Sequence, residues 1–116
     1  MQQTFCVTSQ GQKIIPRCLY AKTFSQRLFG LIPNKKIEMD QGLLFSGSCQ
    51  QLHSLFMSFP IEAFFLDENK KIIKIVHLKP WRVSPIVRKA RYVIETAPGI
   101  EKIYDLKIGQ QMEFTI

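Results

Sequence analysis

Ile61-Glu62-Ala63-Phe64-Phe65-Leu66-Asp67-Glu68-Asn69-Lys70-Lys71-Ile72-Ile73-Lys74-Ile75-Val76-His77-Leu78 decides the fold. Two runs rich in Ile, Phe, Val and Leu flank a short polar break, Glu68-Asn69-Lys70. β-Branched and aromatic side chains suit a pleated surface, and the break supplies the turn, so the stretch reads as a β-hairpin. One residue does not belong in an apolar strand. The pleat sets Glu62 on the face of Phe64 and Leu66, with Asp67 at the strand's exit. An unpaired carboxylate there costs several kcal/mol or is driven to neutrality. Glu62 is therefore expected to meet a donor, with Arg82, Arg27 and His53 as the candidates.

Upstream, Thr4 to Thr8 and Lys13 to Tyr20 read as strands around a Ser9-Gln10-Gly11-Gln12 turn. Pro16 confines the second of them to an edge or a bulge. Thr23-Phe24-Ser25-Gln26 has capping-box spacing and Gly30 is a stop, which predicts a short helix between them. Gly42-Leu43-Leu44-Phe45 is a short buried strand. Downstream, two prolines keep residues 79–85 irregular, and Ala90 to Thr96 is a strand. Pro98 opens a second short helix through Leu106, and Gly109 leads into a last strand, Gln111 to Thr115. The expectation is one domain over residues 1–116, mainly β (α+β): a compact antiparallel sheet or small β-barrel with two short helices.

Five blocks follow one another in a recognisable order: Arg27-Leu28-Phe29-Gly30-Leu31, Gly42 to Phe45, His53 to Asp67, Leu78 to Pro85 and Ala90 to Glu95. Together with the ending from Ala97-Pro98-Gly99 to Ile108-Gly109, they resemble the family called domain of unknown function 192 (DUF192). The resemblance spans nearly the whole chain. It implies a small β-rich bacterial or archaeal fold and no particular activity. That family usually has Met where Ile32 stands. Its central motif usually follows Met with Lys or Arg, and Pro-Leu or Pro-Ile with Asp; here those positions hold Ser58 and Glu62. A ligand site in relatives built on that basic–acidic pair would lack its basic half here.

Composition sets the outer bounds. A chain of 116 residues, 46% hydrophobic with nine Phe, buries one real core. No apolar run is long enough to span a membrane. No charged start leads into an apolar stretch at the N-terminus, so a cytoplasmic location is expected, with export left open for a mature form. Cys6, Cys18 and Cys49 form no C-x-x-C and are expected as reduced, buried thiols, a Cys6–Cys18 bridge being the alternative. The net charge is +7, and residues 70–91 hold eight of the sixteen Lys and Arg with no acid among them. Such a tract favours anionic partners, although a solvated basic face is the preferred reading. Ordered zinc ligands, an RNP-like strand and a helix-turn-helix are all missing, so nucleic-acid binding through segment 70–91 ranks third among the functions.

Chemistry-bearing residues cluster around the opening hairpin. Glu62 could be a structural pin or an acid–base group, with His53 or Asp67 assisting; these three are the catalytic candidates. Glu95 shares a face with Val93, and Arg27 could meet it through a bidentate fork, so Arg27 and Glu95 are expected in structural ion pairs. No nucleophile elbow or phosphate-cradling glycine loop is present. Cys49, His53 and Met57 recur every four residues, but the surrounding Phe and Pro oppose a helix that would align them, so no metal and no cofactor are expected. His77 reads as a strand residue near the sheet edge. Trp81-Arg82, between Pro80 and Pro85, reads equally as a stiff recognition loop or as a plug, with Trp81 closing the open end of the barrel and Arg82 paired with Glu62. The preferred function is a non-enzymatic binding or accessory module. Its polar cleft would be lined by His53, Met57, Glu62, Trp81 and Arg82 and would take a small anionic ligand or a protein segment. The alternative is an enzyme using Glu62.

Overall fold

The structure is a computed structural model that describes residues 4–20, 37–47 and 59–115. Six strands run in the order β1 (Thr4–Ser9), β2 (Gln12–Tyr20), β3 (Gln41–Ser46), β4 (Ile61–Leu66), β5 (Ile72–Leu78) and β6 (Tyr92–Thr96), followed by a helix α1 (Ile100–Ile103). They form one sheet ordered β1-β2-β3-β6-β4-β5. Neighbours are antiparallel except β2 and β3, which run parallel.

Every residue of β4 is buried, because β6 and β5 flank it and both of its faces carry a core. On one face Ile61, Ala63 and Phe65 pack with Leu43, Phe59, Val93 and Ala97. On the other, Phe64 and Leu66 join Val7, Ile15, Cys18, Leu44, Ile94, Ile100 and Met112. That second cluster collects residues from both ends of the strand order, so the sheet curls around it.

The sheet is nonetheless open, which corrects the barrel expectation. β1 and β5 are its edges. The expected last strand makes only two isolated bridges, Thr8 to Glu113 and Lys71 to Gln111. Residues 110–113 thus span the gap between the edges, with Thr8 N–H donating to the Glu113 carbonyl (2.9 Å) and Met112 N–H to that of Lys70 (2.9 Å). Ser9 secures one side by donating to the Gln111 carbonyl (2.6 Å) and accepting from Gln110 Nε2 (2.7 Å). Lys70 secures the other: its ammonium bonds the Phe114 carbonyl (2.8 Å) and lies 4.4 Å from that ring's centre.

Local chemistry accounts for the turns. Gln10 and Gly11 both take left-handed φ (55° and 77°), the two-residue turn that matches strand twist. Pro16 falls where the β1–β2 register slips, at the bulge expected for it. Of the two expected helices, the one among the described residues is a single turn at Ile100–Ile103. Gly99 (φ 107°) starts it and Asp105 (φ 52°) follows its end, so the run from Pro98 to Leu106 is not continuously helical. The helix expected between Thr23 and Gly30 lies outside the described residues. Cys6 and Cys18 are free thiols, so the alternative bridge is not formed; Cys49 lies outside the described residues. No helix among those described is long and apolar enough to cross a membrane.

Candidate functional site

Glu62 stands opposite His77 on β5 and Thr96 on β6. Its side chain is 3% exposed. Both oxygens are taken up by the start of α1: Gly99 N–H donates to Oε2 (3.0 Å) and Glu101 N–H to Oε1 (2.6 Å). The first N–H groups of a helix have no partner inside it, and Gly99 has no side chain to cap them. A strand carboxylate reaching across the core does so instead, with its charge favourably placed at the positive end of the turn. Glu62 was expected to meet a donor from Arg82, Arg27 or His53; Arg27 and His53 lie outside the described residues, and the donors placed on it are two backbone N–H groups, because α1 packs on its face.

A third element completes the cluster. His77 Nε2 lies 3.1 Å from Glu62 Oε2 and 2.8 Å from Glu101 Oε1. The imidazole is 62% exposed and the Glu101 carboxylate 35%, so β4, β5 and α1 bring one buried and two accessible side chains to a single point at the surface. The sequence marked His77 only as a strand residue near the sheet edge, and it did not mark Glu101 at all. Leu66 pairs with Ile72 but Phe65 with Lys74, an extra residue that shifts the register by one and sets His77 against Glu62. A hairpin folded symmetrically about Asn69 would have put Val76 there.

The remaining candidates occupy other places. Asp67 makes the hairpin turn, its Oδ1 accepting from Asn69 N–H (2.9 Å) and Lys71 N–H (3.0 Å). Glu95 is fully buried and pairs with Leu43 and Ala63 on the face opposite to Glu62. His53, Met57 and Arg27 lie outside the described residues. Trp81 and Arg82 lie on the exposed 79–91 segment, which runs from the end of β5 back to the start of β6 and rests on the sheet through Val87 and Ala90. Trp81 has a left-handed φ of 60°. It is 55% exposed, Val83 55% and Ile86 59%. Arg88, Lys89 and Arg91, with Asp67, Glu68 and Asn69, line a cleft of about 390 Å³ at the far end of this segment.

Two further groups are structural. Arg17 grips Asp40 through a fork (2.7 and 2.9 Å), tying β2 to the turn before β3. That hydrogen-bonded guanidinium holds the Asp40 carboxyl below the usual carboxylate range. Burial, and then the neighbouring Cys6, pushes the Cys18 thiol up to about 12, so it has no thiolate to offer near neutral pH.

The sequence profile of DUF192, described as Uncharacterized ACR, matches residues 5–114. The chain belongs to the DUF192 family. A UPF0127 protein of Pyrococcus furiosus is 29% identical over 111 residues, covering 91% of this chain and 93% of that one. Another, from Pyrococcus abyssi, is 33% identical over 63 residues, 54% of each chain. Two crystal structures share the fold. One is a protein of unknown function from Novosphingobium aromaticivorans (TM-score 0.78, 17% identity, covering 95% of this chain and 83% of that one). The other, from Sinorhizobium meliloti 1021, is described as a candidate transcription regulator (TM-score 0.79, 21% identity, covering 97% and 95%). At these identities the likeness shows a shared fold alone.

Proposed function

We propose that this DUF192 protein is a non-enzymatic binding module that holds an acidic partner segment against residues 79–91. The observation that carries the reading is Trp81, an indole more than half exposed on a residue in the left-handed region. That conformation costs a non-glycine residue about 1–2 kcal/mol, and exposing the ring forgoes the gain of burying it. A loop stiffened by Pro80 and Pro85 that bears both costs presents the ring outward. Val83 and Ile86 on the same segment are also more than half exposed, and Arg82, Arg88, Lys89 and Arg91 give the segment its positive charge. Aromatic and Arg side chains are the usual anchors of protein recognition, and the basic rim steers an acidic segment toward them. Glu62 is left out of this reading, because each of its oxygens accepts an N–H from the start of α1.

Trp81 is the one tryptophan in the chain, so its fluorescence reads the surface directly. An Asp/Glu-rich peptide carrying one Leu and one Phe is expected to shift the emission to the blue, saturably and less tightly as salt is raised. Arg82→Ala combined with Arg88→Ala should weaken that binding. Unchanged emission with such peptides would sink the proposal. So would tighter binding of oligonucleotides with a steep salt dependence, which would move the function to nucleic acid.

A further inference from the structure

The side chains around the start of α1 converge more closely than capping requires. Glu62 already accepts a backbone N–H on each oxygen. His77 Nε2 nevertheless sits between Glu62 Oε2 and Glu101 Oε1, and the three donor atoms lie within 4.8 Å of one another. We propose that Glu62, His77 and Glu101 bind a first-row divalent transition cation of the Zn2+ class. The site is independent of the 79–91 surface.

Spacing, charge, donor type and support all bear on this. Ligand atoms about 2.0–2.2 Å from an ion, at angles between octahedral and tetrahedral, stand roughly 2.8–3.5 Å apart. The His77 contacts of 2.8 and 3.1 Å already fall in that interval. Two carboxylates meet a single imidazole at this point, a donor set rich in negative oxygen that a divalent ion suits. An imidazole nitrogen with two carboxylate oxygens suits Zn2+ and its neighbours, whereas Mg2+ and Ca2+ take oxygen donors. The Gly99 and Glu101 N–H groups act as outer supports that fix the buried Glu62 carboxylate before any ion arrives. His77 and Glu101 are accessible, which leaves the ion a path in and leaves coordination positions for water.

The test is calorimetric titration of the full chain with ZnCl2, with CaCl2 and MgCl2 as controls. One Zn2+ per chain is expected, with Ca2+ and Mg2+ at least about tenfold weaker. His77→Ala and Glu101→Gln change accessible side chains and should leave the fold intact while weakening Zn2+ by at least about tenfold each. A proton NMR titration of the His77 ring should show its signals moving with added Zn2+. Equal Zn2+ affinity in His77→Ala would place any ion at another group, and no binding at millimolar Zn2+ would leave the cluster an ion pair only. Either result overturns the proposal.

Discussion

Replacing Glu62 by Gln isolates the role of one buried carboxylate with almost no change of shape. Glu62 receives N–H groups from Gly99 and Glu101, one on each oxygen. Glutamine keeps one oxygen, so one of these bonds survives in neutral form, weaker by about 1 kcal/mol than its charge-assisted parent. The amide nitrogen then faces a second donor, and that half-buried N–H loses its partner at a cost of about 1–3 kcal/mol. The expected destabilisation is about 2–4 kcal/mol, a large share of the 5–15 kcal/mol typical of a domain. Urea unfolding should show it as a lower midpoint with unchanged slope, and hydrogen exchange should quicken at the Gly99 and Glu101 amides. His77→Ala is the control: its contact is largely exposed, so it should cost less than about 1 kcal/mol. A Glu62→Gln effect below about 1 kcal/mol, or one matched by His77→Ala, would refute the account of Glu62 as the cap of α1.

Three further outcomes follow from other parts of the fold. A Cβ on Gly42 would stand 2.8 Å from Ile15 Cγ2 and 3.3 Å from the Glu95 carbonyl. Gly42→Ala should therefore cost about 1–3 kcal/mol, read from the urea midpoint; a neutral effect would mean that β2 can shift. In timed alkylation with mass spectrometry, half-buried Cys6 should be modified before Cys18, which stays unmodified until the chain unfolds. Equal rates would contradict the burial of Cys18. Because the Asp40 carboxyl is held low chiefly by its hydrogen bond from Arg17, the pair's contribution to stability is present above the unfolded value near 3.9 and is lost as pH falls through the lowered one. The Tm difference between wild type and Asp40→Asn should accordingly be present at neutral pH and vanish on acidification.

The β4–β5 hairpin was legible because β-rich runs bracket a polar break, and the face of Glu62 followed from the pleat alone. Its partners were not legible. They are backbone N–H groups, which every residue carries and no side-chain pattern marks; only the dipeptide Pro98-Gly99 hinted at a helix start. His77 was placed correctly on a strand near the edge, but one extra residue in β5 decides what it faces, and periodicity does not register such a slip. The open sheet escaped for a related reason. Strand runs say nothing about strand order, and the parallel β2–β3 pairing joins strands far apart in the chain, with the intervening connection outside any hairpin rule. The irregular backbone around Trp81 and Arg82 was legible because prolines constrain it wherever the loop lies, but whether the indole plugged the sheet or faced solvent was not.

Residues 110–114 occupy the gap between the two outermost strands, and nothing covalent obliges them to fill the gap of their own molecule. Gly109, at φ 94°, is the pivot on which they swing in. At high protein concentration, or after partial heating, the same segment fits the same gap in a second copy with identical hydrogen bonds. Reciprocal exchange of residues 110–114 between two copies is therefore the misassembly this geometry permits, since each hydrogen bond it would make has a native counterpart. A chain whose tail is detached without an exchange partner shows two strand edges at once, and self-assembly can then grow in both directions.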